Sequence, residues 1–263
     1  MKKNSLTELA SIMERLLGPD GCPWDREQTI ESLVPYIIEE AYEVISAIDE
    51  GSSEMLKEEL GDLLFQIIFI CQITKERSEF DINDVISASV EKMVRRHPHV
   101  FGDTTAETSE DVLLNWSRIK RMEKNGREGS GYLSGIPEHL PALLKAHKVS
   151  EKVSRVGFDW KNIDNVFQKV DEEIAEFKAA FHKKDLKEME EEIGDILFTL
   201  VNVSRFLDIN PEDALRKTIG KFITRFHLLE AELKEMSKEF STTSPEEMEE
   251  LWDRVKPKKR YRK

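Results

Sequence analysis

The chain has 263 residues, enough for one large domain or two of ordinary size, and 39% hydrophobic residues can supply a core for either. With 52 Asp and Glu against 39 Lys and Arg, its net charge of -13 argues against non-specific binding to nucleic acid or anionic membranes and favours divalent cations. Two cysteines, Cys22 and Cys71, give no disulfide framework and suit a reducing cytosol.

Helical periodicity begins at once. Leu6, Leu9, Ile12, Met13, Leu16 and Leu17 fall on one stripe, Ser5 and Glu8 have capping-box spacing, and Gly18-Pro19 stops the helix. Lys2 and Lys3 open the chain, but Glu8 and Glu14 interrupt any signal-peptide core and no small-residue cleavage site follows, which predicts a cytoplasmic protein. A second helix is expected over 35–50, with Pro35 in its first turn and Gly51 at its end. A third, over 53–75, contains the apolar run LLFQIIFICQI; Gln66 and Gln72 interrupt it and it is too short to span a membrane, so it reads as a core helix with Cys71 as a buried thiol. A fourth, over 84–96, ends at Pro98. His97 and His99 follow that end, where a cation suits the helix dipole, an account that outweighs a metal role. A helix over 109–124 precedes NGREGSGYLSG at 125–135, the best linker in the chain.

Beyond the linker the order repeats, with helices expected near 140–156, 166–181, 185–207, 211–239 and 245–255. Period-2 alternation is scarce, which disfavours strands. The expected fold is therefore all-α: two tandem helical-bundle repeats, 1–124 and 136–263, joined by a Gly/Ser-rich linker at 125–135. The basic tail KPKKRYRK from Lys256 reads as a solvated segment or a contact for an acidic partner.

The two halves align residue by residue. Gly21 and Trp24 (GCPW) match Gly157 and Trp160 (GFDW), and Glu39, Glu40 and Glu43 (EEAYE) match Glu172, Glu173 and Glu176 (EEIAE). Glu59 and Asp62 (ELGD) match Glu192 and Asp195 (EIGD), and 19 residues separate Glu40 from Glu59 as they separate Glu173 from Glu192. Lys92 and Arg96 match Lys221 and Arg225, and Trp116 with Lys120 matches Trp252 with Lys256. Residues three apart share a helical face, so antiparallel packing of the two acidic helices in each half would gather four carboxylates. Like charges at 4 Å cost about 1 kcal/mol in water and about 4 kcal/mol at an effective dielectric of 20, so a cation belongs there. Hard oxygen ligands without nearby Cys or His favour Mg²⁺ or Mn²⁺ over zinc. A solitary ExxE would be a solvated helix face; its repetition, ahead of apolar stretches that should bury both helices, reverses that reading. A di-iron carboxylate bundle is the nearest competitor, but it uses Glu-x-x-His, and no histidine here has a Glu three positions before it.

EExxE followed by ExxD on the next helix resembles the all-α nucleoside triphosphate pyrophosphohydrolase superfamily. GCPWD, ELGDLLFQ, RRHPHVFGD and VGFDW resemble the MazG family in particular, over nearly the whole chain. The resemblance implies Mg²⁺-dependent hydrolysis of ribo- and deoxyribonucleoside triphosphates to monophosphate and pyrophosphate, with broad base tolerance, by a homodimer. It places Glu173, Glu176, Glu192 and Asp195 as metal ligands, with Glu40, Glu43, Glu59 and Asp62 as first-copy equivalents. Lys221 and Arg225 would hold phosphate oxygens, and Glu172 would orient or deprotonate water. Trp252 and Lys256 would contact base and phosphate, in company with Phe222 and Phe226, although Trp252 serves equally as a core anchor. Lys169, four residues before Glu173, suits a phosphate where the first copy has Tyr36, which points to 136–263 as the main catalytic unit. The alternative is a regulatory or assembly protein that binds nucleotide and metal without turnover.

Overall fold

The structure, a computed structural model, describes residues 5–124 and 131–256; six residues of the expected linker, and all of the basic tail but Lys256, fall outside them. The described residues form helices and turns without strands. The chain divides into two compact units, Met1–Gly126 and Arg127–Lys263.

In the first unit the order is α1 (Leu6–Leu17), α2 (Pro23–Arg26), α3 (Ile30–Glu50), α4 (Ser53–Glu76), α5 (Ile82–Arg96), α6 (Pro98–Phe101) and α7 (Ser109–Lys124). The helix expected to open at Pro35 begins five residues earlier, because Thr29 and Ser32 close a reciprocal capping box that provides for its first-turn donors. Pro35 is thus inside α3 rather than in its first turn. Gly51, at φ 69°, turns the chain into α4, and the two long helices form an antiparallel hairpin. α1 lies on α4, and Met13, Leu33, Ile68, Phe69 and Ile73 close a common core. Cys71 is buried as expected. Pro98 does not simply end the fourth helix: after His97 it opens the single turn of α6.

The second unit runs α8 (Ala142–Ser154), α9 (Ile163–Lys183), α10 (Leu186–Phe206), α11 (Pro211–Glu235), a 3₁₀ turn (Phe240–Thr242) and α12 (Pro245–Val255). α9 and α10 repeat the α3–α4 hairpin, with α8 against α10. Arg205, near the end of α10, reaches back to the GFDW loop, where its Nη1 donates to Asp159 Oδ2 at 3.0 Å and its Nη2 to Asp159 Oδ1. α11 and α12 close a separate apolar cluster of Leu229, Leu233 and Leu251, with Phe226 and Trp252 against it.

The matched glycines serve different ends. Gly157 takes φ +86°, whereas a Cβ at Gly21 would stand 2.0 Å from the Leu16 carbonyl oxygen, so the chain can pass α1 there only without a side chain. Gly21→Ala is expected to lower the urea midpoint of the first unit, by about 2–3 kcal/mol in stability. The same change at Gly157 acts through backbone strain alone and should cost less, about 1 kcal/mol.

Candidate active site

Each hairpin brings its carboxylates to one place, because residues 19 apart on antiparallel neighbours face each other across the seam. In the second unit, oxygens of Glu173, Glu192 and Asp195 lie within 4.8 Å of one another; in the first, those of Glu40, Glu43 and Glu59 do. The fourth acid of each quartet is close by. Glu173 raises the proton affinity of Glu176, and Asp62 that of both Glu40 and Glu59. Burial differs from expectation: Glu173, on α9, is the buried acid, while Glu59 and Glu192 are half-buried and Asp62 and Asp195 exposed. The apolar stretches that follow them reach the core only on their inner faces.

Electrostatics match this crowding. Desolvation, followed by the charges of Glu176, Glu173 and Asp195, pushes the Glu192 carboxyl above its ordinary value. Desolvation and then Asp62 and Glu43 do the same to Glu40, and the nearby Gln66 partly offsets the rise. The sequence marks Gln66 only as an interruption of an apolar run, although its place one turn after Asp62 on the same helix was a usable signal of a neighbour to the acids; Thr199 stands there in the second copy. Among the described residues, Glu192 Oε2 is buried and has no hydrogen-bond partner. An unpartnered buried carboxylate oxygen beside two other acids fits a hard divalent cation, which would supply the missing contact.

Lys169 lies on the carboxylate face, as its spacing implied, but it points into the acids. Its Nζ is 2.6 Å from Glu172 Oε1 and 2.9 Å from Glu173 Oε1, and hydrogen bonds to Glu172 and then Glu173 raise its proton affinity. The second copy thus carries an internal cation where the first has Tyr36, whose ring stands edge-on to Trp24 at 6.0 Å.

The remaining candidates form a second group on α11 and α12. Phe222 packs on Trp252 at 5.0 Å and stacks on Phe226, which in turn stacks on Phe240. Trp252 is half-buried against the Leu229–Leu233–Leu251 cluster, so its role as an anchor is realised, while Phe222 remains exposed. Lys256 pairs with Asp253 at 2.5 Å. Lys221 and Arg225 form no ion pair among the described residues, and no hydrogen bond there joins this group to the carboxylates. In the first unit, Lys92 is half-buried and Arg96 is held by Glu123, its Nη2 lying 2.5 Å from Glu123 Oε2.

A helical hairpin that concentrates acids at one seam, repeated once, defines a class of carboxylate-lined helical proteins whose seam could hold a metal ion. Residues 28–101 and 162–228 match the MazG nucleotide pyrophosphohydrolase domain, once in each unit. The chain is 47% identical over 249 residues to the nucleoside triphosphate pyrophosphohydrolase/pyrophosphatase MazG of Thermotoga maritima, covering 95% of this chain and 94% of that protein. It is 43% identical to a nucleoside triphosphate pyrophosphohydrolase of Escherichia coli K12, with 96% and 97% of the two chains covered. A crystal structure of a mazG-related protein from Thermotoga maritima aligns with TM-score 0.39 at 28% identity, over 44% of this chain and 99% of that one. The chain belongs to the MazG nucleotide pyrophosphohydrolase family. It is an enzyme, of the hydrolase class. No described helix is long and apolar enough to cross a membrane.

Proposed function

We propose that the protein hydrolyses ribo- and deoxyribonucleoside triphosphates to monophosphate and pyrophosphate, with Mg²⁺ or Mn²⁺, in the cytoplasm and chiefly at the second unit. The observation that carries this reading is the acid cluster of Glu173, Glu192 and Asp195, with one Glu192 oxygen buried and unpartnered, in a chain nearly collinear with relatives named for that activity. Glu173, Glu176, Glu192 and Asp195 would hold the cation. Bound there, it would offset triphosphate charge and lower the pKa of an attacking water. Glu172, held in place by Lys169, is the residue to orient or deprotonate that water. Lys221 and Arg225 would grip phosphate oxygens, Phe222 and Trp252 would stack on the base with Phe226 behind them, and Lys256 would exchange Asp253 for a phosphate. Stacking accepts any base, which is the physical ground for broad tolerance. The proposed domain limits are 1–124, 125–135 and 136–263, with the boundary between the two compact units falling inside the linker.

A second copy of the chain is the proposed partner. Ile193, Leu197 and Leu200 form an exposed stripe on α10, and Leu215, Ile219, Phe222 and Ile223 another on α11. The first unit repeats both, with Leu60, Leu64 and Ile67 on α4 and Ile86, Val90, Met93 and Val94 on α5. Apolar ridges of this length are seldom left in water, and they lie on the helices that carry the acids and the basic pair.

Incubation with ATP, GTP, CTP, UTP and their deoxy counterparts in Mg²⁺, followed by product analysis, tests the reading. The expected products are the monophosphate and pyrophosphate from most bases. Diphosphate and orthophosphate would move the cleavage to another bond, and binding without products would leave a nucleotide-binding protein instead.

A further inference from the structure

The first unit repeats the acid cluster, the Lys-Arg pair and the tryptophan, yet one contact in it has no counterpart among the described residues of the second. Glu123, near the end of α7, reaches across to the end of α5. Its Oε1 accepts from Arg95 Nε at 2.7 Å, and its Oε2 accepts from Arg96 Nε at 3.1 Å and from Arg96 Nη2 at 2.5 Å. Arg96 and Glu123 are only 15% and 20% exposed, and the Arg96 guanidinium also lies 5.9 Å from the Trp116 ring. A carboxylate gripped by two guanidinium groups has the geometry that an incoming phosphate would need. The two arginines hold Glu123 ionised down to a pKa of about 2, so the contact persists at any pH at which the enzyme would work. The second copy differs in sequence as well as in contacts. Glu123 stands seven residues after Trp116, and seven after the matching Trp252 stands Lys259, a reversal of charge.

We infer that Glu123 is an internal substitute for phosphate: it fills the Arg96 anion site of the first copy and thereby decides which repeat accepts a nucleoside triphosphate. The inference rests on the reading that Lys92 and Arg96, like Lys221 and Arg225, grip phosphate. The first copy is then a latent site, shut by its own carboxylate, and the unequal roles of the repeats come from the anion pocket as well as from Lys169 against Tyr36. An anion must displace Glu123 to bind, so apparent affinity falls by the fraction of time the arginine is open.

The test is calorimetric, on the full chain, with inorganic tripolyphosphate and Mg²⁺ as the probe. Lys221→Gln and Arg225→Gln together silence the second copy. In that background Glu123→Gln is expected to tighten tripolyphosphate binding about tenfold or more, as for a site open about a tenth of the time, and adding Arg96→Gln should abolish the gain. Glu123→Ala should act in the same direction. Equal affinity with and without Glu123, in chains whose circular dichroism is unchanged, overturns the proposal. So does unfolding of the first unit in both Glu123 variants, which would make the contact a structural clasp. Failure of the underlying reading is separate: the unaltered chain would then bind no tripolyphosphate at either copy.

Discussion

Glu192→Ala is expected to cut turnover of nucleoside triphosphates by about 10²- to 10³-fold, the scale on which removal of one transition-state-stabilising group acts. Glu59→Ala, its counterpart in the first copy, should lower turnover less than about threefold. The difference follows from what surrounds each acid. Glu192 has a buried, unpartnered oxygen and lies with Glu173, which Lys169 holds at 2.9 Å; Glu59 belongs to the unit in which Arg96 is already occupied by Glu123. A steady-state comparison of the two variants at saturating Mg²⁺ decides the matter, and the reverse order would transfer the catalytic role to the first copy. Glu192→Gln separates charge from shape. It keeps the side chain's volume but offers the cation a neutral ligand, so a loss nearly as large as that of the alanine variant is expected.

Metal removal should have the second largest effect, on stability as well as on rate. Chelation is expected to reduce turnover to background, with Mg²⁺ restoring it, and a cation present at about 100 times its dissociation constant should stabilise the fold by about 2.7 kcal/mol. The pH dependence of the metal-free protein carries the sign of the effect. Desolvation and neighbouring acids raise Glu40, Glu59, Glu176 and Glu192 above their ordinary value of 4.5, so the folded chain binds more protons than the unfolded chain in the interval above that value. Metal-free stability should therefore be greatest below about pH 4.5 as far as these four groups are concerned, and should fall as pH rises through their folded values. The carboxylates that work the other way, Glu31, Asp81, Asp111, Glu123 and Asp213, are lowered, and their contribution is lost only below their ordinary values. Urea midpoints from pH 4.5 to 7 should decline in chelator and flatten in Mg²⁺. A midpoint that climbs with pH in chelator would mean that desolvation and the neighbouring acids of each cluster do not raise these four carboxyls.

The helices, their order and the carboxylate faces could be read from the sequence because each depends on local periodicity. Glu40 and Glu43 share a face wherever a helix forms, and equal spacing of 19 residues in both halves puts Glu59 and Glu192 opposite their partners once the hairpin closes. Even the Lys169 to Glu173 contact is a one-turn relation along α9. Helix starts were less accessible, as Thr29 and Pro35 show, because a cap depends on hydrogen bonds between loop and first turn rather than on the apolar stripe. Contacts between distant segments required the tertiary structure. Only folding reveals that Glu173 is the buried acid, that Glu192 retains an unpartnered oxygen, and that Gly21 passes α1 too closely for any side chain. Only folding carries Glu123 across 27 residues onto Arg96, because the packing of α7 on α5 depends on the whole unit and leaves no periodic trace in the chain.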